Sequence, residues 1–146
     1  MKFATLLVLF AALTPLSVHA EADRQHVPAD GRGAGGVNPA YSAAVLAGKT
    51  LYVAGTTDRG PIAGDTASLA AKRVLDSVKR AVEAGGLKMD DLVWVQIFSS
   101  DLADYAAFND VYRTYFKGPM PARAYLGVDH LLGGAKFEVM GIAVKP

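Results

Sequence analysis

The chain has 146 residues and no cysteine, with 15 basic residues against 14 acidic ones. The absence of thiols from the sequence excludes disulfides, cysteine nucleophiles and thiolate metal sites. The near-neutral charge, without a basic stripe, argues against a nucleic acid as the natural partner, because phosphate neutralisation supplies most of that affinity. Neither His26 nor His130 stands in a metal-ligand spacing, so we expect no metal and no cofactor.

The first twenty residues have the features of a secretory signal peptide. One positive charge, Lys2, precedes an apolar run over residues 3–18, and Val18-His19-Ala20 resembles a small-residue cleavage site. Hydroxyl residues and a proline interrupt the run, whereas a membrane anchor needs about 20 consecutive apolar residues. We therefore expect cleavage after Ala20 and a soluble protein in the periplasm or the medium.

Residues 21–38 predict a flexible leader. They are rich in Gly, Ala, Pro and Asp and lack apolar periodicity. Gly31, Gly33 and Gly36 match the spacing G-x-G-x-x-G, but no strand is predicted before them and no helix after them, so the context for dinucleotide binding is missing. The folded domain is expected over residues 39–146.

The domain begins with a predicted hairpin and a helix. Short strands over residues 45–47 and 50–54 are joined by Gly48-Lys49, a glycine-containing turn. Residues 66–84 then place apolar side chains on one face at helical spacing and charged ones on the other. Gly85-Gly86 provides the stop that often follows a helix.

Residues 92–98 predict a central strand, because they are β-branched and aromatic with apolar side chains on both faces. Helices can cover one face of a two-layer domain. The other face needs a different cover, and a second subunit is the simplest one. This strand is the first indication of an oligomer.

The rest of the chain adds a helix and two strands. Residues 102–116 carry aromatic side chains at helical spacing, with Asp101 as the N-cap, and we interpret these aromatics as core. Strands follow over residues 122–128 and 136–144, separated by a loop at Gly133-Gly134. The predicted order is ββαβαββ in a single α+β domain.

Two charged residues lie within the last two predicted strands. Alternation places Arg123 and Tyr125 on one face of their strand, and Glu138 lies between Phe137 and Val139 in the last strand. A structural ion pair, or two solvated edge residues, would explain them. Alternatively, Arg123 binds a substrate carboxylate and Glu138 orients or deprotonates a water, a site that suits an already electrophilic imine.

Seven segments resemble, in the same order, the RidA/YjgF family of enamine/imine deaminases. The most specific is Pro121-Ala122-Arg123, which a strand glutamate, Glu138, follows fifteen residues later. The match runs from about residue 39 to the C-terminus. The segments are Tyr41-Ser42-Ala43-Ala44-Val45, Leu51-Tyr52-Val53-Ala54-Gly55, Val82-Glu83-Ala84-Gly85-Gly86-Leu87, Asp91-Leu92-Val93, Tyr112-Arg113-Thr114-Tyr115-Phe116, Pro121-Ala122-Arg123 and Phe137-Glu138-Val139-Met140-Gly141-Ile142-Ala143-Val144.

The resemblance implies a homotrimer of chorismate-mutase-like subunits. Each would have a mixed sheet facing inward and two helices on its outer face, with sites in the clefts between subunits. It also implies cofactor-free hydrolysis of reactive imines of 2-oxo acids to the ketone and ammonia. Arg123 would bind the substrate carboxylate, Glu138 would position water, Tyr41 would line the cleft, and Tyr125 with Ala54-Gly55 would contact the substrate.

Several positions depart from the family's pattern. Ala40 replaces a proline, Ala54 and Thr56 replace the outer residues of Ser-Gly-Gln, Tyr125 replaces a frequent cysteine, and Met140 replaces the second glutamate of Glu-x-Glu. We expect a reshaped cleft and a substrate other than the short-chain imines. Whether these changes retune or abolish the activity stays open at this point.

Two other functions remain as alternatives. A non-catalytic trimer could bind small carboxylates through the same Arg123 without activating water. Endoribonuclease activity is also associated with the resembled family, but near-neutral charge and the lack of a histidine pair for acid/base work argue against it.

Overall fold

The computed structural model describes residues 24–29 and 40–146. In these ranges one six-stranded sheet is accompanied by two α-helices. The elements are β1 (Arg24–Pro28), β2 (Ser42–Ala47), β3 (Thr50–Thr57), α1 (Ala67–Ala84), β4 (Leu92–Ser99), α2 (Tyr105–Arg113), β5 (Ala122–Gly127) and β6 (Phe137–Val144), with 3₁₀ turns at Met89–Asp91, Leu102–Asp104 and Leu132–Gly134.

The first strand corrects the expectation of a flexible leader over residues 21–38. Residues 24–28 form β1, which pairs antiparallel with β2, and Val27 is buried opposite Ala44. Only one side chain of β1 is buried, so the strand forms by covering the edge of β2 and not through a pattern of its own. The predicted signal peptide and the three glycines at positions 31, 33 and 36 lie outside the described residues.

The sheet has the strand order β1-β2-β3-β6-β4-β5. All neighbours are antiparallel except β4 and β5, which are parallel and are connected through α2. From β2 onward the predicted order ββαβαββ is therefore confirmed, and the fold is a single mixed α+β domain as expected.

One helix starts as predicted and the other is shorter than predicted. Thr66 caps α1, since its hydroxyl accepts a hydrogen bond from the Leu69 amide at 3.2 Å. Residues 102–116 do not form one α-helix. Asp101 caps a 3₁₀ turn by accepting from the Ala103 amide at 2.9 Å, and the α-helix proper covers only Tyr105–Arg113.

The core lies between the helices and one face of the sheet. Its largest fully buried side chains include Phe108 of α2, Leu75 of α1 and Phe137 of β6. Side chains on the second sheet face are less covered: Tyr52, Ile142 and Trp94 form a row across three neighbouring strands, and Tyr52 is 52% exposed. In the part of the chain that the structure describes, no helix is long and apolar enough to cross a bilayer.

Candidate active site

Arg123 lies on the edge strand β5 and faces the helices. Its register partner on β4 is Val95, which is buried in the core. Its Nη1 donates a hydrogen bond to Oδ1 of Asn109 at 2.7 Å, and Nη2 donates more weakly to the Tyr105 hydroxyl at 3.4 Å. The guanidinium carbon lies 4.9 Å from the ring centroid of Tyr112. The cation is therefore held in one orientation before any ligand arrives.

Tyr125 lies on the same face as Arg123, as strand alternation predicts. Its ring packs edge-on against Tyr105, with centroids 4.9 Å apart, and against Phe108 at 5.6 Å. Burial raises the pKa of Tyr125, and burial raises the pKa of Tyr112 to about 12. Both phenols stay neutral at ordinary pH, so they support the cation through their rings and do not neutralise it.

A groove of about 240 Å³ opens beside Arg123. Its walls come from α2 and from the segment that leads into β5, including Asn109, Met120 and Pro121. Tyr125 is not part of this lining, although its ring centroid lies 5.8 Å from the guanidinium carbon of Arg123. Within the part of the chain that the structure describes, β5 has a neighbouring strand on one side only, so the groove lies at the edge of the sheet.

Glu138 lies on the opposite face of the sheet. It pairs with Thr57 of β3 and Phe98 of β4, in the middle of the sheet. Its carboxylate rests against Gly55: a methyl group added at Gly55 would overlap Oε1 of Glu138 and approach Cε of Met140 to 3.3 Å. Glycine is required at this position because any side chain would displace the carboxylate.

Tyr41, Ala54 and Gly55 line a cavity of about 210 Å³ between the first three strands and α1, on the helix side of the sheet. Tyr41 is 60% exposed at the surface. Glu138 is not part of this lining, because its side chain leaves the opposite face, where it lies against Gly55.

A single subunit does not bring Arg123 and Glu138 together. β4 lies between their strands, so two strand spacings of about 4.8 Å separate the backbones, and the two side chains leave opposite faces. The candidate site is thus divided into an arginine half on β5 and a glutamate half on β3 and β6.

Sequence reasoning did not identify Asn109 and Tyr105 as residues that hold Arg123. Asn109 is only 5% exposed, and a polar residue between aromatic core positions of a helix is a signal that could have identified it. No group of three or more His, Asp or Glu side chains within residues 24–29 and 40–146 is placed to hold a metal ion.

A sequence model of one protein family, described as Endoribonuclease L-PSP, matches residues 36–145. The chain belongs to this family. A curated relative from Dermatophagoides farinae is 36% identical over 113 residues, which cover 71% of this chain and 84% of the relative. A relative from Rattus norvegicus is 34% identical over 110 residues, covering 73% and 80%. Both bear the name 2-iminobutanoate/2-iminopropanoate deaminase.

Two solved structures from E. coli share the fold. The YjgF gene product of E. coli is 31% identical and superposes with a TM-score of 0.68, over 83% of this chain and 94% of that one. E. coli TdcF with bound serine is 28% identical with a TM-score of 0.70, over 84% and 100%. The resemblance to RidA/YjgF proteins inferred from the sequence is therefore confirmed.

Proposed function

We propose that this protein hydrolyses reactive enamine and imine derivatives of 2-oxo acids to the ketone and ammonia, without a cofactor. The observation that carries the proposal is the preorganised guanidinium of Arg123, held by Asn109 in an open groove. The deaminase names of the two curated relatives and the serine bound to TdcF, an α-amino acid, support the same chemistry.

The residues suit addition of water to a C=N bond. Arg123 pairs with the substrate carboxylate and fixes the imine carbon. Glu138 accepts a proton from water as its oxygen bonds to that carbon, giving a carbinolamine. The imine reacts in its protonated form, so the carbinolamine is neutral. Glu138 then returns its proton to the nitrogen and accepts the hydroxyl proton as the C–N bond breaks, so that the ketone and ammonia leave and the ammonia takes up this last proton as ammonium. The imine is already electrophilic, so no nucleophilic side chain is needed.

The site requires two subunits, because one subunit separates Arg123 from Glu138. We place Arg123 of one subunit against Glu138 and Gly55 of the next, in a homotrimer. The row of Tyr52, Ile142 and Trp94, of which Tyr52 is exposed and the other two are partly buried, supports burial of the second sheet face against neighbouring copies. Mixed oligomers of Arg123→Ala and Glu138→Gln chains should regain activity that neither variant has alone.

The primary test is release of ammonia and 2-oxo acid by the purified protein from imines generated in situ by an amino-acid oxidase. Arg123→Ala should abolish the acceleration, whereas Arg24→Ala, at an exposed position of β1, should keep it. Full activity of Arg123→Ala would refute the mechanism. Tight binding of 2-oxo acids in calorimetry without any turnover would favour the carboxylate-binding alternative.

The described residues do not support ribonuclease chemistry, despite the description of the family model. His26 lies on β1 and His130 follows β5, at opposite edges of the six-stranded sheet. About five strand spacings separate these edges, so the two histidines cannot act together on one ribose phosphate within a subunit. His130 is exposed beside Asp129, at 3.4 Å.

We also propose that the protein acts outside the cytoplasm after cleavage following Ala20. The charge at Lys2, the apolar run and the small-residue site support export. N-terminal sequencing of the protein from the periplasm or medium should begin at Glu21. A cytoplasmic protein beginning at Met1 would contradict the proposal.

A further inference from the structure

The groove beside Arg123 has two large apolar side chains at its surface. Tyr105 of α2 and Met120, two residues before β5, both line the groove and are 46% and 48% exposed. A single exposed apolar residue is ordinary, but two of them flank the same cation here, and Pro121 lies with them in the lining. We call Tyr105, Met120 and Pro121 the apolar walls. A small molecule whose carboxylate pairs with Arg123 would lie against them.

The ring of Tyr105 is held from two directions. It packs edge-on against Tyr125, with centroids 4.9 Å apart, an arrangement that is favourable beyond the area it buries. Its hydroxyl accepts the weak hydrogen bond from Arg123, whose guanidinium carbon lies 5.8 Å from the ring centroid. Tyr125 stands where the resembled family often has a cysteine. This larger residue therefore provides the packing that holds Tyr105 at the groove.

The backbone that carries Met120 is stiff. A proline stands on each side of it; each proline fixes its own φ, and the second also restricts Met120 to extended conformations. Oδ1 of Asp90 accepts hydrogen bonds from the amides of Lys117 at 2.8 Å and Gly118 at 3.2 Å, which fastens the start of this segment. The methionine side chain itself is flexible and polarizable, so it adapts to apolar ligands of different shapes. Little ordering of the backbone is left for a ligand to impose.

The charged residues of the groove are two arginines, and one of them already has a partner. Arg113 donates from Nη1 to Oδ1 of Asp110 at 3.0 Å, in an exposed pair on α2. Among the described residues that line the groove, none is acidic. A guanidinium has more N–H groups than the two that Arg123 uses on Asn109 and Tyr105. Arg123 is therefore the group that can take a carboxylate here.

We propose that the apolar walls bind the side chain of the substrate, so that the preferred substrates are imines of amino acids with apolar side chains longer than a methyl group. This inference rests on the proposed function: Arg123 takes the α-carboxylate, Glu138 of the neighbouring subunit activates water, and the side chain lies between Tyr105 and Met120. At about 240 Å³, the groove is several times the about 30 Å³ that one molecule occupies in liquid water, so a carboxylate and a short carbon chain both fit. Each added methylene removes more apolar surface from water.

The test measures kcat/KM for imines generated in situ by an amino-acid oxidase from alanine, 2-aminobutyrate, norvaline and norleucine, whose side chains differ only in the number of methylenes. The imine of glutamate is added, because Arg113 also lines the groove. The proteins are the wild type, Met120→Leu, Met120→Gln and Ile62→Gln. Glutamine is about as long as methionine but polar, whereas leucine stays apolar. Ile62 is 49% exposed, as Met120 nearly is, and does not line the groove, so its variant is the matched control.

We expect kcat/KM of the wild type to rise about twofold with each methylene, roughly eightfold across the series, because the groove is open and a fully buried methylene contributes about fourfold. Met120→Leu and Ile62→Gln should keep this dependence on chain length. Met120→Gln should flatten it, with the largest loss for the imine of norleucine and the smallest for that of alanine.

Three results would overturn the inference and leave the proposed function standing: a flat series in the wild type, an equal loss for every imine in Met120→Gln, or a higher kcat/KM for the imine of glutamate than for that of norleucine. If no imine is turned over, the proposed function fails, and calorimetric titration with acetate and with pentanoate tests the apolar walls alone. Tighter binding of pentanoate that Met120→Gln removes would still support them, and equal binding of the two acids would overturn them.

Discussion

Adding one methyl group at Gly55 should inactivate the enzyme while leaving it folded. The new Cβ would overlap Oε1 of Glu138, so the carboxylate must move by about 1 Å to reach a normal C···O separation of about 3.3 Å. The overlapping atom is the end of a flexible side chain, so the chain can relieve the contact by rotating Glu138. A shifted rotamer costs about 0.5–1.5 kcal/mol of stability.

The catalytic cost should be larger than the folding cost. A misplacement of about 1 Å in a catalytic group can reduce the rate about 100-fold, equivalent to about 2.7 kcal/mol in activation free energy. Gly55→Ala should therefore lower kcat about 100-fold with a small change in KM, because Arg123, the residue that we propose to bind the carboxylate, is untouched. Urea unfolding should show a loss of no more than about 1.5 kcal/mol.

Two further variants separate the causes. Gly64→Ala introduces a methyl group into open space at φ +76°, so it should lose stability but keep activity. In a Glu138→Ala background, Gly55→Ala should cause no further loss of rate, because the displaced group is already absent. Two results would refute the claim that Gly55 leaves space for the Glu138 carboxylate: a wild-type kcat in Gly55→Ala, or additive losses of kcat in the double variant.

Three other substitutions test one contact of Arg123 and two buried or capping carboxylates. Asn109→Ala removes the acceptor that orients Arg123 and should raise KM about tenfold in steady-state kinetics, with a smaller effect on kcat. Asp58→Ala leaves three backbone amides without their acceptor and should lower the free energy of unfolding by at least about 2 kcal/mol in urea titrations. Hydrogen bonds from the Lys117 and Gly118 amides hold the pKa of Asp90 below its usual value. The ionised carboxylate therefore stabilises the folded protein above about pH 4, and this stabilisation is lost as the pH falls. In Asp90→Asn, the free energy of unfolding should fall less steeply with decreasing pH.

Each of these three predictions has an outcome that contradicts it. An unchanged KM in Asn109→Ala would mean that Arg123 is oriented by its tyrosine neighbours alone. Wild-type stability of Asp58→Ala would show that the loop after β3 is held by other contacts. The control is Asp129→Asn, a change at a fully exposed side chain. If the free energy of unfolding falls as steeply with decreasing pH in Asp90→Asn as in this control, Asp90 does not cause the acid sensitivity.

Alternation within a strand was predictable, whereas relations between strands were not. The sequence places Arg123 and Tyr125 on one face of β5, and the structure confirms it. That Glu138 leaves the other face of the sheet depends on the register between β4 and its two neighbours, and a shift of one residue would reverse the result. The resemblance implied a site between subunits, but no pattern of the residues themselves specified that the side chains of Arg123 and Glu138 leave opposite faces of the sheet.

Two local elements also escaped prediction for identifiable reasons. β1 buries only Val27 and ends at Pro28, so it lacks the alternation that identifies a strand. Arg59 stands beside a glycine and a proline, where a turn is the ordinary interpretation. Both features depend on partners distant in the chain: the edge of β2 for the strand, and residues 136 and 137 for the turn.

The loop that carries Arg59 is fastened at both of its ends. Asp58 ties its start to the beginning of β6, and Arg73 of α1 bonds both the Asp58 carbonyl, at 2.9 Å, and the carboxylate of Asp65 near its end. Two elements distant in the chain, β6 and α1, therefore hold this one loop in place. An insertion between these two ends would lengthen the loop at the surface, while the contacts of Asp58 and Arg73 keep the strand that carries Glu138 in its position.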